Sequence, residues 1–485
     1  MSIPPVDRAA DLPLSFNQEW QLQSYWALAQ AGTPARPMRV TRVLRVAGAL
    51  DERALRDAVN QVVARHEVLR TGFLCRDRPA VTAGQPAGVS ITSTIETIPD
   101  VPVAVVDLQQ TRADERDAAL EAVASRFLDV PVRFDRPPHV IVALARLAPA
   151  EHVLLVMVPR LIADPWAVQN ACNDLEVLYA RAAGADVAPL PAVLQNVDFA
   201  AWERAQIEGP RRGELVRHWC DRWRAWHDDV VSVDQLPQAR TRSSDVSLRA
   251  GLAWTALDEP ASHRLRAFAR AARLTPAVLG LTAFYLLLAA VTGRRRVAAW
   301  VRFANRSRVE LEPVVGWLAT AHIVGTDLTA DPSALDACRQ VRDLLMAEHP
   351  HQQLPWPLLW NVVIRSVRAG RPSRPLSALL DSVTFDARRV RASAPGRSGV
   401  SFDPVLLQLP TSRTNFDITL IEQDQGLGVR IGYPPDRLDP KDVRAMLASV
   451  VEILRLIAEA PDLRVSHICE IAAGLYARPA VSSPV

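Results

Sequence analysis

The run Val153-Leu-Leu-Val-Met-Val158 is apolar at every position. A strand of that kind has no face to give to water, so it needs cover on both sides of its sheet. Pro159 ends it, because proline has no N–H to donate to the ladder. Arg160 and Asp164 follow, four residues apart in an otherwise apolar neighbourhood, where charges must pair or serve a ligand. After Pro165 the spacing of Trp166, Val168, Cys172, Leu175, Leu178 and Tyr179 predicts an amphipathic helix, with proline in its first turn and Gly184 beyond its end. The unit is strand, polar elbow, helix. Any chemistry belongs at the elbow.

A chain of 485 residues exceeds one ordinary core, which predicts two domains. They are expected at 1–184, carrying the elbow, and 185–485, with the Pro- and Gly-punctuated stretch 185–195 as linker. In the first half, 15–31 reads as a helix capped by Ser15, 38–46 as a strand, 51–66 as a helix and 139–147 as a strand leading back to Val153. In the second half, 198–229, 262–273, 276–291, 333–347 and 441–458 read as helices, the last as the final long one. Strands are expected at 252–257, 297–303, 383–386, 416–422 and 428–433. The fold class is therefore α/β (α+β).

Charge excludes some functions. Basic residues number 56 against 53 acidic, too close to balance for a nucleic-acid binder argued on charge. The five cysteines, Cys75, Cys172, Cys220, Cys338 and Cys469, have no CxxC spacing, so neither a disulfide framework nor a zinc site is expected. The N-terminus shows no secretory pattern, and the apolar run 276–291 is shorter than the roughly 20 residues a membrane span needs. A cytoplasmic protein with no membrane partner is expected. No phosphate-cradling glycine loop and no G-x-S-x-G elbow is found.

Several short signatures stand in a consistent order. Arg65-His-Glu-Val-Leu-Arg-Thr-Gly-Phe73 is followed by Val197-Asp-Phe-Ala-Ala-Trp202, Val315-Gly-Trp-Leu-Ala-Thr320, His351-Gln-Gln-Leu-Pro-Trp356, Ser373-Arg-Pro-Leu376, and Asn415-Phe-Asp-Ile-Thr-Leu420 with Tyr433-Pro-Pro-Asp-Arg-Leu-Asp439; Ser15-Phe-Asn-Gln18 precedes them all. In this order they resemble the signatures of the condensation domain of nonribosomal peptide synthetases. The resemblance implies two lobes, each like chloramphenicol acetyltransferase, arranged as a V-shaped pseudo-dimer with a tunnel between them.

The family's third signature, HHxxxDG, falls on the elbow and is broken. Pro159 and Arg160 stand where the two histidines would be, Asp164 matches the aspartate, and Pro165 replaces the glycine. The second histidine of the family acts as general base or positions the amine. A guanidinium stays protonated and cannot accept a proton, and losing a general base costs about 10²–10⁴-fold. The resemblance further implies an ion pair between Asp164 and Arg70. The fifth signature departs too: Thr320 and Ala321 replace the usual Asn-Thr, and Gly325 an Arg. His322 lies close enough in sequence to be a displaced base. The expected catalytic residues are thus Arg160, Asp164 and His322, with Pro159, Trp166, Trp317 and Thr320 lining the substrate site. His66 and His351 read as structural.

From the resemblance, no cofactor is bound and the phosphopantetheine arm arrives on an acyl or peptidyl carrier protein. Three readings stay open: a free-standing condensation enzyme forming an amide or ester without the usual histidine; a catalytically inactive module, like the X domains of glycopeptide assembly lines, that recruits a carrier protein or a tailoring oxidase; and a cyclisation or elimination on a tethered substrate.

Overall fold

The computed structural model describes residues 2–32, 38–78, 88–98, 100–128, 130–241, 250–364, 382–390, 399–405, 416–423 and 426–477. The weak signature at 373–376 and Asn415 lie outside them. Two sheets, each backed by helices, organise the chain.

The N-terminal half contains α1 (Phe16–Gln30), β1 (Arg39–Ala47), α2 (Glu52–Arg65), β2 (Thr71–Arg78), β3 (Gly88–Ile95), β4 (Val103–Asp107), α3 (Arg116–Leu128), β5 (Ile141–Ala148), β6 (Glu151–Pro159) and α4 (Pro165–Ala182). Ser15 caps α1 in a reciprocal capping box with Gln18, as its sequence predicts. The apolar run forms β6, the central strand of its sheet, with β1 paired on one side and β5 on the other. Leu154, Val156 and Val158 enter a core with α2 and α4, while Val153, Leu155 and Met157 enter another against α3. That two-sided burial is why the run needs no polar alternation. The hairpin β2–β3 stands apart from this sheet.

The remaining elements are α5 (Asn196–Glu208), α6 (Arg211–Trp226), β7 (Gly251–Ala256), α7 (Glu259–Ala271), α8 (Pro276–Thr292), β8 (Arg296–Phe303), β9 (Thr320–Asp327), α9 (Ala334–Glu348), the single turn α10 (Trp356–Leu358), β10 (Thr384–Val390), β11 (Ser401–Pro404), β12 (Asp417–Gln423), β13 (Gly426–Tyr433), α11 (Pro440–Glu459) and α12 (Val465–Ala477). The second sheet runs β7-β13-β12-β10-β8-β9. Val297, Ala299 and Val301 on β8 face a core built with α8 and α11, and Ala298 and Trp300 on its other face meet Trp219 and Trp223 of α6. Helix α8 is the apolar run 276–291, buried almost along its whole length. No single helix among the described residues is long and apolar enough to cross a membrane.

Three expectations change. The single helix over 198–229 is two, broken at Gly209-Pro210. The helix expected at 441–458 forms as α11, but a further, shorter helix, α12, follows it and packs Ile468, Cys469 and Ala472 into the core of the second sheet. The division at 184 and 185 does not hold for β11, which pairs with β1 in the first sheet (Val46 opposite Phe402) and puts Phe402 in that core. Among the described residues this four-residue strand pairs only by crossing, and that pairing is invisible to local pattern.

Candidate functional site

Pro159 closes β6 opposite Arg39, and the Arg160 amide donates to the Met38 carbonyl at 2.8 Å. Leu161, Ile162 and Ala163 then turn entirely inside. Asp164 caps α4, one carboxylate oxygen accepting from the Ala167 amide at 2.8 Å, with Pro165 in the first turn. The same carboxylate accepts from the amides of Leu318 (3.1 Å) and Ala319 (2.9 Å) and from both terminal nitrogens of Arg306, at 2.9 and 3.2 Å. Arg306 also donates to the carbonyls of Ala304 and Val314. Asp164 therefore ties the elbow to the loop 304–319 of the second half.

That geometry corrects the expected pair with Arg70. Arg70 spends its guanidinium on the carbonyls of Ala64 (3.3 Å) and Glu96 (2.8 Å), because it ends the short turn Glu67–Arg70 and reaches along the hairpin. Arg306 takes the carboxylate because it lies in the loop that already presents two amides to Asp164. The polar pair Asn305-Arg306 after an apolar strand was the sequence signal for it.

Arg160 is half-buried, and among the described residues its guanidinium has no hydrogen bond or ion pair; it lies over the Trp317 ring, 5.0 Å from the centroid. Burial, reinforced by Arg302, pushes its pKa down to about 10, which leaves it charged at neutral pH. Trp317 is buried beneath it, its indole nitrogen without a partner among the described residues. Arg302 and Arg388, whose charges act on Arg160, share Asp386 at 3.5 and 2.8 Å. A charge inside an apolar strand pattern is the signal that singled out Arg160, and it applies equally to Arg302 on β8 and Asp386 on β10.

The other expected residues sit elsewhere. Trp166 is 45% exposed; its indole donates to the Glu312 carbonyl at 3.0 Å and its ring covers Arg306 at 5.5 Å. Thr320 and His322 are both buried on β9 and both bond the Gln352 carbonyl, at 2.8 and 3.0 Å. The His322 ring stacks on Trp219 at 4.0 Å, and burial lowers its pKa to about 3. That environment suits a neutral packing group rather than a base. His66 pairs with Asp174 at 2.9 Å, and His351 stacks on His218.

The family model "Condensation domain" matches residues 9–471. This chain belongs to the condensation-domain family. A linear gramicidin synthase polypeptide of Brevibacillus parabrevis is 27% identical over 465 residues, which is 95% of this chain and 6% of that protein. The chain thus spans a small fraction of the length of such curated relatives. Among solved structures, the X-domain from teicoplanin biosynthesis is 25% identical with a TM-score of 0.71, covering 96% of this chain and 99% of that one; it has also been solved in complex with OxyB. The first condensation domain of the calcium-dependent antibiotic synthetase reaches a TM-score of 0.75 at 18% identity, covering 94% and 99%. The condensation-domain fold follows.

Proposed function

We propose that this chain is a condensation-type acyltransferase that joins an acyl group, carried as a phosphopantetheine thioester on a carrier protein, to an amine or alcohol, with Arg160 stabilising charge where the family uses a histidine. The observation that carries this reading is the Arg160 guanidinium, which among the described residues has no hydrogen bond or ion pair and lies over the Trp317 ring, with the charges of Arg302 and Arg388 acting on it. Attack on a thioester carbonyl builds negative charge on its oxygen and then on the departing sulfur. A fixed guanidinium in a partly desolvated gap opposes that charge without reorganising. Surplus positive charge also disfavours an ammonium ion, so a bound amine is kept neutral and nucleophilic. The reaction balances without a net base: the C–N bond forms, the C–S bond breaks, and the proton lost from nitrogen ends on the thiolate.

A second reading is a recruiting module without turnover, favoured by the 25% identity to the X-domain, which is known in complex with OxyB. Acyl-loaded carrier protein and an amine, followed by intact mass, test the two. Acyl transfer by the wild type, lost about 10²-fold in Arg160→Ala and partly kept in Arg160→Lys, supports the enzyme. No transfer with any loaded carrier, or transfer indifferent to both substitutions, overturns it; retention of a pathway oxidase then favours recruitment.

A further inference from the structure

Trp317 is held in place by the residues on either side of it. The Asp164 amide donates to the Gly316 carbonyl at 3.3 Å, and the Leu318 and Ala319 amides donate to the Asp164 carboxylate at 3.1 and 2.9 Å. Val315 enters the core of the first sheet, while Val314 and Leu318 enter a small cluster with Phe199 and Leu311. Gly316 lies against the Asn196 side chain, whose oxygen would stand 2.3 Å from a Cβ at that position. With the backbone fixed on both sides and Trp317 only 5% exposed, the indole is confined to one placement.

Arg160 reaches that ring from the other side of the same aspartate. Its amide is fixed on the Met38 carbonyl at 2.8 Å, and its guanidinium carbon lies 5.0 Å from the centroid of the Trp317 ring. A long arginine side chain would otherwise sample many rotamers. Tryptophan is the strongest aromatic partner for a cation, and its face attracts the guanidinium without offering an oxygen to any N–H group. The contact therefore fixes the charge and leaves its N–H groups for an acceptor on a bound molecule. One residue, Asp164, carries the backbone frame for both sides, since it follows Arg160 by four positions and binds the amides next to Trp317.

We propose that Trp317 is the positioning residue for Arg160: it holds the guanidinium at one point of the elbow and acts through it, not by touching substrate. The consequence for acyl transfer rests on the reading above; the placement of Arg160 by Trp317 does not.

Two measurements on the full chain test it. In protein made with isotopically labelled arginine, the side-chain cross-peaks of Arg160, identified by their loss in Arg160→Lys, are displaced by the indole ring current. Trp317→Leu returns them to the position of free arginine, and Trp317→Phe keeps part of the displacement. The wild-type displacement and its reduction in Trp317→Phe decide the point even where Trp317→Leu does not fold. In acyl transfer from a loaded carrier protein, Trp317→Leu lowers kcat about tenfold with KM unchanged, and Trp317→Phe lowers it less. The same substitutions cost nothing further in an Arg160→Ala background.

Arg160 cross-peaks at the free-arginine position in the wild type, or unmoved in both Trp317 variants, overturn the placement. A loss of transfer just as large in the Arg160→Ala background means that Trp317 acts on substrate directly, and overturns the role. Absence of transfer from every loaded carrier defeats the acyltransferase reading, while the cross-peaks still decide whether Trp317 places Arg160.

Discussion

Arg306 places both terminal nitrogens on the carboxylate of Asp164, at 2.9 and 3.2 Å, with their side chains only 2% and 1% exposed. The pair joins a helix cap in one half of the chain to a loop in the other. The elbow keeps its shape through this contact, whatever stands at Arg160.

Removing one partner strands the other charge. Arg306→Ala should cost about 3–5 kcal/mol of unfolding free energy in urea. Combining Arg306→Met with Asp164→Asn should recover about 1–3 kcal/mol of the summed single losses. Strictly additive losses would mean that the two side chains do not act together.

Stability should fall as the medium is acidified from neutral. Burial lowers His322 to about 3 and His139 to about 4, both below the ordinary 6.5. The unfolded chain then binds protons that the folded chain refuses, so the stability these groups contribute is full above about pH 6.5 and is lost as pH falls toward 3–4. At pH 5 a single such group accounts for about 2 kcal/mol relative to neutral. Urea unfolding of His322→Phe at pH 7 and pH 5 should show a smaller drop than wild type; an identical drop would clear His322 of the effect.

Gly325 is held by Trp226, not by any need for unusual backbone. A Cβ there would stand 2.3 Å from the indole, which is itself covered by Arg296 at 4.5 Å. Gly325→Ala should cost about 1–3 kcal/mol, seen as a lower Tm, and the loss should shrink in a Trp226→Leu background.

Asp386 bridges Arg302 and Arg388. Burial alone would raise its carboxyl, but Arg388 and then Arg302 hold it below the usual carboxylate range. Its contribution is present above the ordinary carboxylate pKa and is lost as pH falls through the lowered one. Asp386→Asn should lose about 3 kcal/mol in urea at low ionic strength and recover part of it in high salt. Equal losses at both salt levels would show that shape, not charge, is what Asp386 supplies.

Much of the fold was legible because its signals are local. The unbroken apolar run at Val153 required a strand covered on both faces, Ser15 announced a helix start, and Pro165 suited a first turn. The short strand β11 and the final helix α12 were missed, because one depends on a partner more than 350 positions away and the other on a core already assembled. At the site, Arg160 stood out as a charge after an apolar strand. The same rule would have flagged Arg302 and Asp386, had a mid-strand charge been weighed like one at an elbow.

The amino-acid sequence alone determined the family and the elbow, since each rests on residue identity and order along a few consecutive positions. Only the tertiary structure decided that Asp164 answers to Arg306 rather than Arg70 and that His322 is a buried ring stacked on Trp219. Partner choice between charges depends on distance and desolvation, and chain order records neither.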